Sequence, residues 1–235
     1  MNRRNKDEIA YYYDSHLTAK DLSGEPACHS QLIHYLWDVL RWLFREQIYV
    51  LHQNLNFYYT SNPREYPMEP DIAVIKGVSR LEMRSWKVGK SGPAPHFVFE
   101  IASDDTWRKD IDEKVEIYGR MGVQEYFAYD PNEPPVWEGI SRRLLGWKLN
   151  HNTQAMQTMQ LNAEGHLWSH QLESFLVPDG YYLRLYDQEG HLRLTPSEGM
   201  RARTETERLG ANTLAHRIQT YQEKLRSLGI DPDQI

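Results

Sequence analysis

Apolar side chains recur at three- and four-residue intervals between residues 26 and 47, at Ile33, Leu36, Trp37, Leu40, Leu43 and Phe44. Cys28, Leu32 and Val39 widen the stripe and Pro26 suits a first-turn position. The spacing therefore predicts a helix over about 26–47, buried along much of its length against a sheet. The next run, IYVLHQNLNFYYT (48–60), is rich in β-branched and aromatic residues and reads as strand, and SNPREYPMEP (61–70) breaks it. DIAVIKG (71–77) is a short apolar strand that begins on an acid. A loop is predicted over 78–95, from Gly89, Gly92, Pro93 and Pro95, before the buried strand HFVFEIAS (96–103). TWRKDIDEKVEIYGRMG (106–122) returns to helical spacing through Ile111, Val115 and Tyr118, with Ser103, Asp104, Asp105 and Thr106 as cap chemistry and Gly122 as the stop. VQEYFAYDP (123–131) closes a strand–helix–strand order that predicts a crossover between parallel neighbours. Residues 135–186 read as further strands, including RRLLGWKLN and YYLRLYD. From Glu198 the chain is helical and charged, with Leu214, Ile218, Tyr221, Leu225 and Leu228 spaced 4-3-4-3. Two heptads fit either a short coiled coil or an amphipathic helix on the domain's own surface.

Composition narrows the class. The chain has 235 residues, 15 Tyr and 7 Trp, enough length and aromatic surface for a core without staples. Its 27 basic and 33 acidic residues give a formal charge of −6, which argues against a protein held to nucleic acid by a broad basic coat. An enzyme that meets phosphate through an acidic metal site is not excluded. Cys28 is the single cysteine, so neither an internal disulfide nor a thiolate cluster can form. No signal peptide is read at the N-terminus, and no apolar run approaches the ~18 residues of a membrane span. The expectation is a soluble, cytoplasmic protein with no membrane contact.

Two acids change the picture. Asp71 starts one apolar strand and Glu100 sits inside another, where a carboxylate is costly to bury unless it is paired or bound to a cation. Acids on neighbouring strands can offer oxygens to one hard cation, an arrangement that suits magnesium. Taken singly, each also reads as a carboxylate paired with Arg or Lys. Lys114 lies in the following helix on the same face as Asp110 and Tyr118, four residues before and after it. From a crossover helix, Lys114 could reach the strand end and offset developing negative charge, or simply pair with Asp110.

The residues Pro70-Asp71, Glu100, Ser103, Thr106, Asp110, Lys114, Tyr118, Gly122-Val123, Glu125-Tyr126 and Asp130-Pro131, in that order, resemble the pattern of the Uma2 family, also called DUF820. That family is a branch of the PD-(D/E)xK nuclease-like proteins. The likeness is strongest over 70–131, looser over 28–187, and extends to the ending LRSLGIDPDQI. It implies an α/β fold with a restriction-endonuclease-like core: a mixed central β-sheet flanked by helices, with extra β-strands and a C-terminal helix. The domain expected over 26–187 would follow a lead-in segment, 1–25, and precede an amphipathic helix at 198–229 suited to dimerisation. The resemblance implies an endonuclease acting on DNA, with Asp71, Glu100 and the Ile101 backbone carbonyl holding Mg²⁺ (Mn²⁺ as a substitute) and Lys114 as the catalytic lysine. It also implies a homodimer, since two-strand cutting often uses two sites. In a plain Glu-x-Lys motif the lysine would stand at Ala102, so here it is expected to have migrated to Lys114. The alternative function is a nuclease-fold binding module of weak or no catalysis, acting through self-association or a partner.

Glu25 and His29 are accessory candidates as a metal ligand or phosphate contact, although a first-turn Glu and a surface His are the plainer readings. Trp86, Lys87 and Lys90 read as a solvated loop, with base stacking as the sharper alternative. His151, His166, His170 and His191 show no tight ligand spacing, and no phosphate-binding glycine motif is present.

Overall fold

Helix α1 (Ala27–Leu43) buries Leu32, Ile33, Leu36, Val39 and Leu40 completely. The structure, a computed structural model, describes residues 27–60, 66–79, 84–104, 106–229 and 231–232. The helix stops short of residue 47 in a tightened turn, where the Trp42 carbonyl accepts both the Arg45 N–H at 3.4 Å and the Arg45 Nη1 at 2.7 Å.

Six strands form the central sheet: β1 (Tyr49–His52), β3 (Ile72–Lys76), β5 (Phe97–Ile101), β6 (Glu125–Tyr129), β7 (Leu144–Asn150) and β8 (Ala155–Thr158), in the spatial order β1-β3-β5-β6-β7-β8. Only β5 and β6 pair in parallel; the other neighbours are antiparallel. Side chains alternate across a strand. Ile72, Val74, Phe97, Phe99, Phe127 and Tyr129 therefore face α1 and a three-stranded sheet of β9 (Leu167–Ser169), β10 (Ser174–Asp179) and β11 (Tyr182–Tyr186). Glu125 ties the two sheets, its carboxylate accepting from the His170 N–H at 2.9 Å and the Ser169 hydroxyl at 2.5 Å. On the other face lie Ala73, Ile75, Val98, Tyr126 and Ala128. Asp71 and Glu100 share the parity of Ala73 and Val98, so both belong to this second face.

The predicted loop at 78–95 contains a strand. β4 (Ser85–Lys87) pairs in parallel with β2 (Asn56–Tyr58), and Trp86 is 1 % exposed with its indole N–H donating to the Pro93 carbonyl at 2.9 Å. A Cβ at Gly92 would run into the Trp86 ring, so the glycine is what lets the loop close over it. Trp86 is core and is not presented to a base.

The helix predicted over 106–122 is two helices, α2 (Trp107–Ile111) and α3 (Glu113–Met121), broken at Asp112 with φ −115° and ψ −81°. The break has a visible cause. The buried Tyr126 hydroxyl donates to the Asp110 carbonyl at 2.7 Å, occupying an acceptor that a continuous helix would use. The expected capping also differs: Thr106 stands at the N-cap without a side-chain cap bond, and its hydroxyl instead donates to Asp110. Gly122, at φ +88°, ends α3 in the left-handed conformation and turns the chain into β6.

The final helix, α4 (Pro196–Ser227), starts with a capping box between Thr195 and Glu198. Gly199 lets it seat on the Trp42 indole, where a Cβ would come within 2.6 Å of Cζ2. Past that anchor the helix leaves the body. Leu214, Ile218, Tyr221 and Leu228 are all exposed, so the stripe does not lie on the domain's own surface. Among the described residues, no helix is long and apolar enough to cross a membrane.

Candidate active site

The ladder between β3 and β5 aligns Ile72 with Phe99, and one step further it sets Asp71 beside Glu100. Asp71 Oδ2 accepts the Ile101 N–H at 2.7 Å, which pins the carboxylate to the end of β5. Ile101 thus touches the site through its backbone N–H. Glu100 is 3 % exposed, and its Oε1 takes two donors: the Lys114 ammonium at 2.8 Å and the Tyr118 hydroxyl at 2.5 Å. Lys114 also meets Asp110 Oδ1 at 2.7 Å, and Asp110 Oδ2 receives the Thr106 hydroxyl at 3.1 Å. Despite the break at Asp112, the four-residue spacings still place Asp110, Lys114 and Tyr118 over Glu100. The structure therefore gathers Asp71, Glu100, Lys114, Asp110 and Tyr118 in one constellation.

His29 joins it. The residue is 8 % exposed and its Nε2 lies 3.8 Å from Asp71 Oδ2, so the surface reading of this residue is overturned. Helix α1 carries it over the start of β3, a placement that depends on packing between segments distant in sequence. Glu25 and Asp105 lie outside the described residues, and Asp104 is exposed. Sequence reasoning missed the part of Tyr126, which reads as an ordinary strand aromatic and yet shapes the helix that carries Lys114. A second group of close ligating side chains, Asp187, Glu189 and His191, is accounted for by a turn: Asp187 Oδ1 accepts the Glu189 and His191 N–H groups.

The electrostatics follow from enclosure. Burial, opposed by the Lys114 ammonium and reinforced by Asp71 and Asp110, pushes the Glu100 carboxyl up to about 8. Burial likewise raises Asp110. For Lys114, burial works against the charged form, but Glu100 and Asp110 outweigh it and hold the amine protonated. The Tyr118 phenol is pushed well up by burial and by Glu100, so it stays a donor. Two carboxyl groups, Glu100 and Asp110, thus flank one ammonium, with Asp71 beside Glu100 on the neighbouring strand, and an added cation would relieve the imbalance. Two carboxylates, Asp71 and Glu100, on neighbouring strands form a donor set that fits a hard divalent ion. Asp71 and Lys114 side chains keep 15 % and 18 % exposure, leaving a route from solvent.

The model of the Uma2 family, described as "Putative restriction endonuclease", matches residues 3–173. The chain belongs to the Uma2 family. A solved structure described as a "putative nuclease belonging to DUF820 from Anabaena variabilis" is similar at 14 % identity and a TM-score of 0.44, covering 63 % of this chain and 75 % of that one. No curated protein matches. In this Uma2 chain Ala102 is buried in the core of the second face, and Lys114 reaches the Glu100 carboxylate from α3 instead.

Proposed function

We propose that this Uma2 protein is a metal-dependent endonuclease that hydrolyses phosphodiester bonds of DNA, with Asp71, Glu100 and the Ile101 carbonyl holding a divalent cation. One observation carries the reading: a protonated lysine seated 2.8 Å from a buried glutamate, with a second acid on the neighbouring strand. A bound Mg²⁺ or Mn²⁺ would supply Lewis-acid activation of water and of the scissile phosphate. The protein's own groups do the rest. Lys114 offers a fixed positive charge to the phosphate oxygens and an N–H to orient the attacking water. Tyr118 and Lys114 both bind Oε1 of Glu100, which fixes the carboxylate and leaves Oε2 for the cation. Asp110 and Thr106 hold the lysine in place.

The test is cleavage of supercoiled, linear and single-stranded DNA with Mg²⁺ or Mn²⁺. Lys114→Ala and Glu100→Gln should each lower the rate ~10²–10⁴-fold while the near-ultraviolet circular dichroism stays native. Activity that survives both substitutions would belong to another site or a contaminant. A second reading, a nuclease-fold module that binds without cutting, is favoured by the enclosure of Glu100 and Asp110, at 3 % and 1 % exposure. Cation binding with no cleavage of any of these substrates would select it. In either case the exposed stripe of α4 is proposed to pair with a second copy of the chain.

A further inference from the structure

At the far end of β3 from Asp71, a cleft of about 430 Å³ opens between the end of α1, the end of β3 and the turn that joins β9 to β10. Its positive groups are Arg45, Lys76 and Arg193, and its carboxylates are Glu46 and Glu173. Lys76 stands five residues along β3 from Asp71, about 17 Å at the rise of a strand, and belongs to the opposite face of the sheet. Arg45 and Glu46 pair with each other at 3.4 Å. The other two cations are held differently. The Lys76 ammonium lies over the Phe44 ring at 5.2 Å and donates to the Gln171 carbonyl. Arg193 donates through Nη2 to the Glu173 carbonyl at 2.9 Å and through Nε to the buried Ser174 hydroxyl at 3.0 Å. Among the described residues, both are met by neutral oxygens and neither enters an ion pair.

Burial pushes the Lys76 amine below the usual lysine range, with Glu173 and Glu125 opposing it. A part-buried cation without a counter-ion is unfavourable, and two in one cleft suit an anion that accepts from both. Their neutral partners fix both heads, so an incoming anion meets donors already oriented. A phosphate group matches the pair best, since its several oxygens can take a guanidinium fork and an ammonium together. We propose that this cleft binds the phosphate group of a small ligand, with Lys76 and Arg193 as its cations. The site is separate from the Asp71–Glu100 constellation and does not depend on the nuclease reading. Its volume lies in the range of clefts that hold small molecules, about 300–1,000 Å³. Glu46 and Glu173 on its walls disfavour a long polyanion. Glu173 would also limit the affinity for phosphate itself.

The experiment uses the full chain in chelator, so that no anion binds through a metal. Inorganic phosphate, deoxyadenosine 5′-monophosphate and deoxyadenosine are titrated by calorimetry. Both phosphates should bind and the nucleoside should not. Tighter binding of the nucleotide marks the phosphate as the head of a larger ligand, and equal affinity marks free phosphate. Arg193→Gln and Lys76→Met should each weaken phosphate ~10–100-fold, the worth of a charged hydrogen bond. Glu173→Gln should tighten it ~2–5-fold by removing a repulsive charge. Because Lys76 is part-buried and Lys76→Met could fail to fold, acetylation of the wild type, read by mass spectrometry, supplies an independent measure. Saturating phosphate should suppress labelling of Lys76 and leave the exposed Lys109 unchanged. No binding of either phosphate, unchanged affinity in folded Arg193→Gln and Glu173→Gln, or labelling of Lys76 that ignores phosphate overturns the site. Protection of Lys76 by a duplex oligonucleotide and by neither small phosphate overturns it in favour of a nucleic-acid contact.

Discussion

Glu100 couples chemistry to stability. Its carboxyl is raised to about 8 in the folded chain against an ordinary value of 4.5, with burial as the chief cause. The folded state therefore holds a proton that the unfolded state releases between those values. The contribution of this group is fully present below the ordinary carboxyl range and is lost as pH rises through about 8. In chelator, urea denaturation of the wild type should lose ~2 kcal/mol between pH 5 and pH 8.5 relative to Glu100→Gln, whose amide does not titrate. Parallel pH profiles for the two proteins would show that the carboxylate is comfortable as an ion and needs no cation. Gly146 makes a different residue-scale case. A Cβ there would meet Leu167 Cδ1 at 2.7 Å and Phe127 Cδ1 at 3.0 Å, where the two sheets pack. Gly146→Ala should cost ~1–3 kcal/mol by the same denaturation assay, and a neutral result would mean that the sheets separate easily.

At the scale of elements, the helical period of 106–122 was legible, as was the shared face of Asp110, Lys114 and Tyr118, because that face depends only on local spacing. The break at Asp112 was not legible, since it comes from a tyrosine hydroxyl on a later strand. Strand β4 was hidden for a similar reason: three residues among glycines and prolines carry little periodicity, and the pairing with β2 is long-range. The tail has the opposite character. Its stripe places Leu214, Tyr221 and Leu228 at d positions and Ile218 and Leu225 at a positions, with Arg217 and Lys224 at g. In a parallel pair those cations face Gln222 and Gly229 of the second helix, whereas an antiparallel pair would set them against each other. If the tail pairs with a second copy as proposed, the pairing should be parallel, and light scattering should give twice the chain mass. Ile218→Glu with Leu225→Glu should return the monomer with the body still folded.

For the molecule as a whole, charge is distributed unevenly. Residues 96–131 carry nine acids against four bases, and 200–229 carry six bases against three acids. The acidity that argues against a basic coat is concentrated on the segment that builds the candidate site. DNA should therefore be retained in a gel-shift assay with Ca²⁺, a cation that binds oxygen ligands, and released by chelator. Retention that ignores chelator and falls steeply with salt would move the contact to the basic tail.

Period, parity and an ordered motif were enough to read strands β3, β5 and β6, the family resemblance and the candidate residues Asp71, Glu100 and Lys114. Tertiary structure alone decided the rest. It showed that the lysine points at the glutamate, that Trp86 is core, that the tail leaves the body, and that His29 stands over Asp71. Each of these depends on which distant segments pack together. Burial on that scale also sets the proton affinity of Glu100, and no local pattern in the chain encodes it.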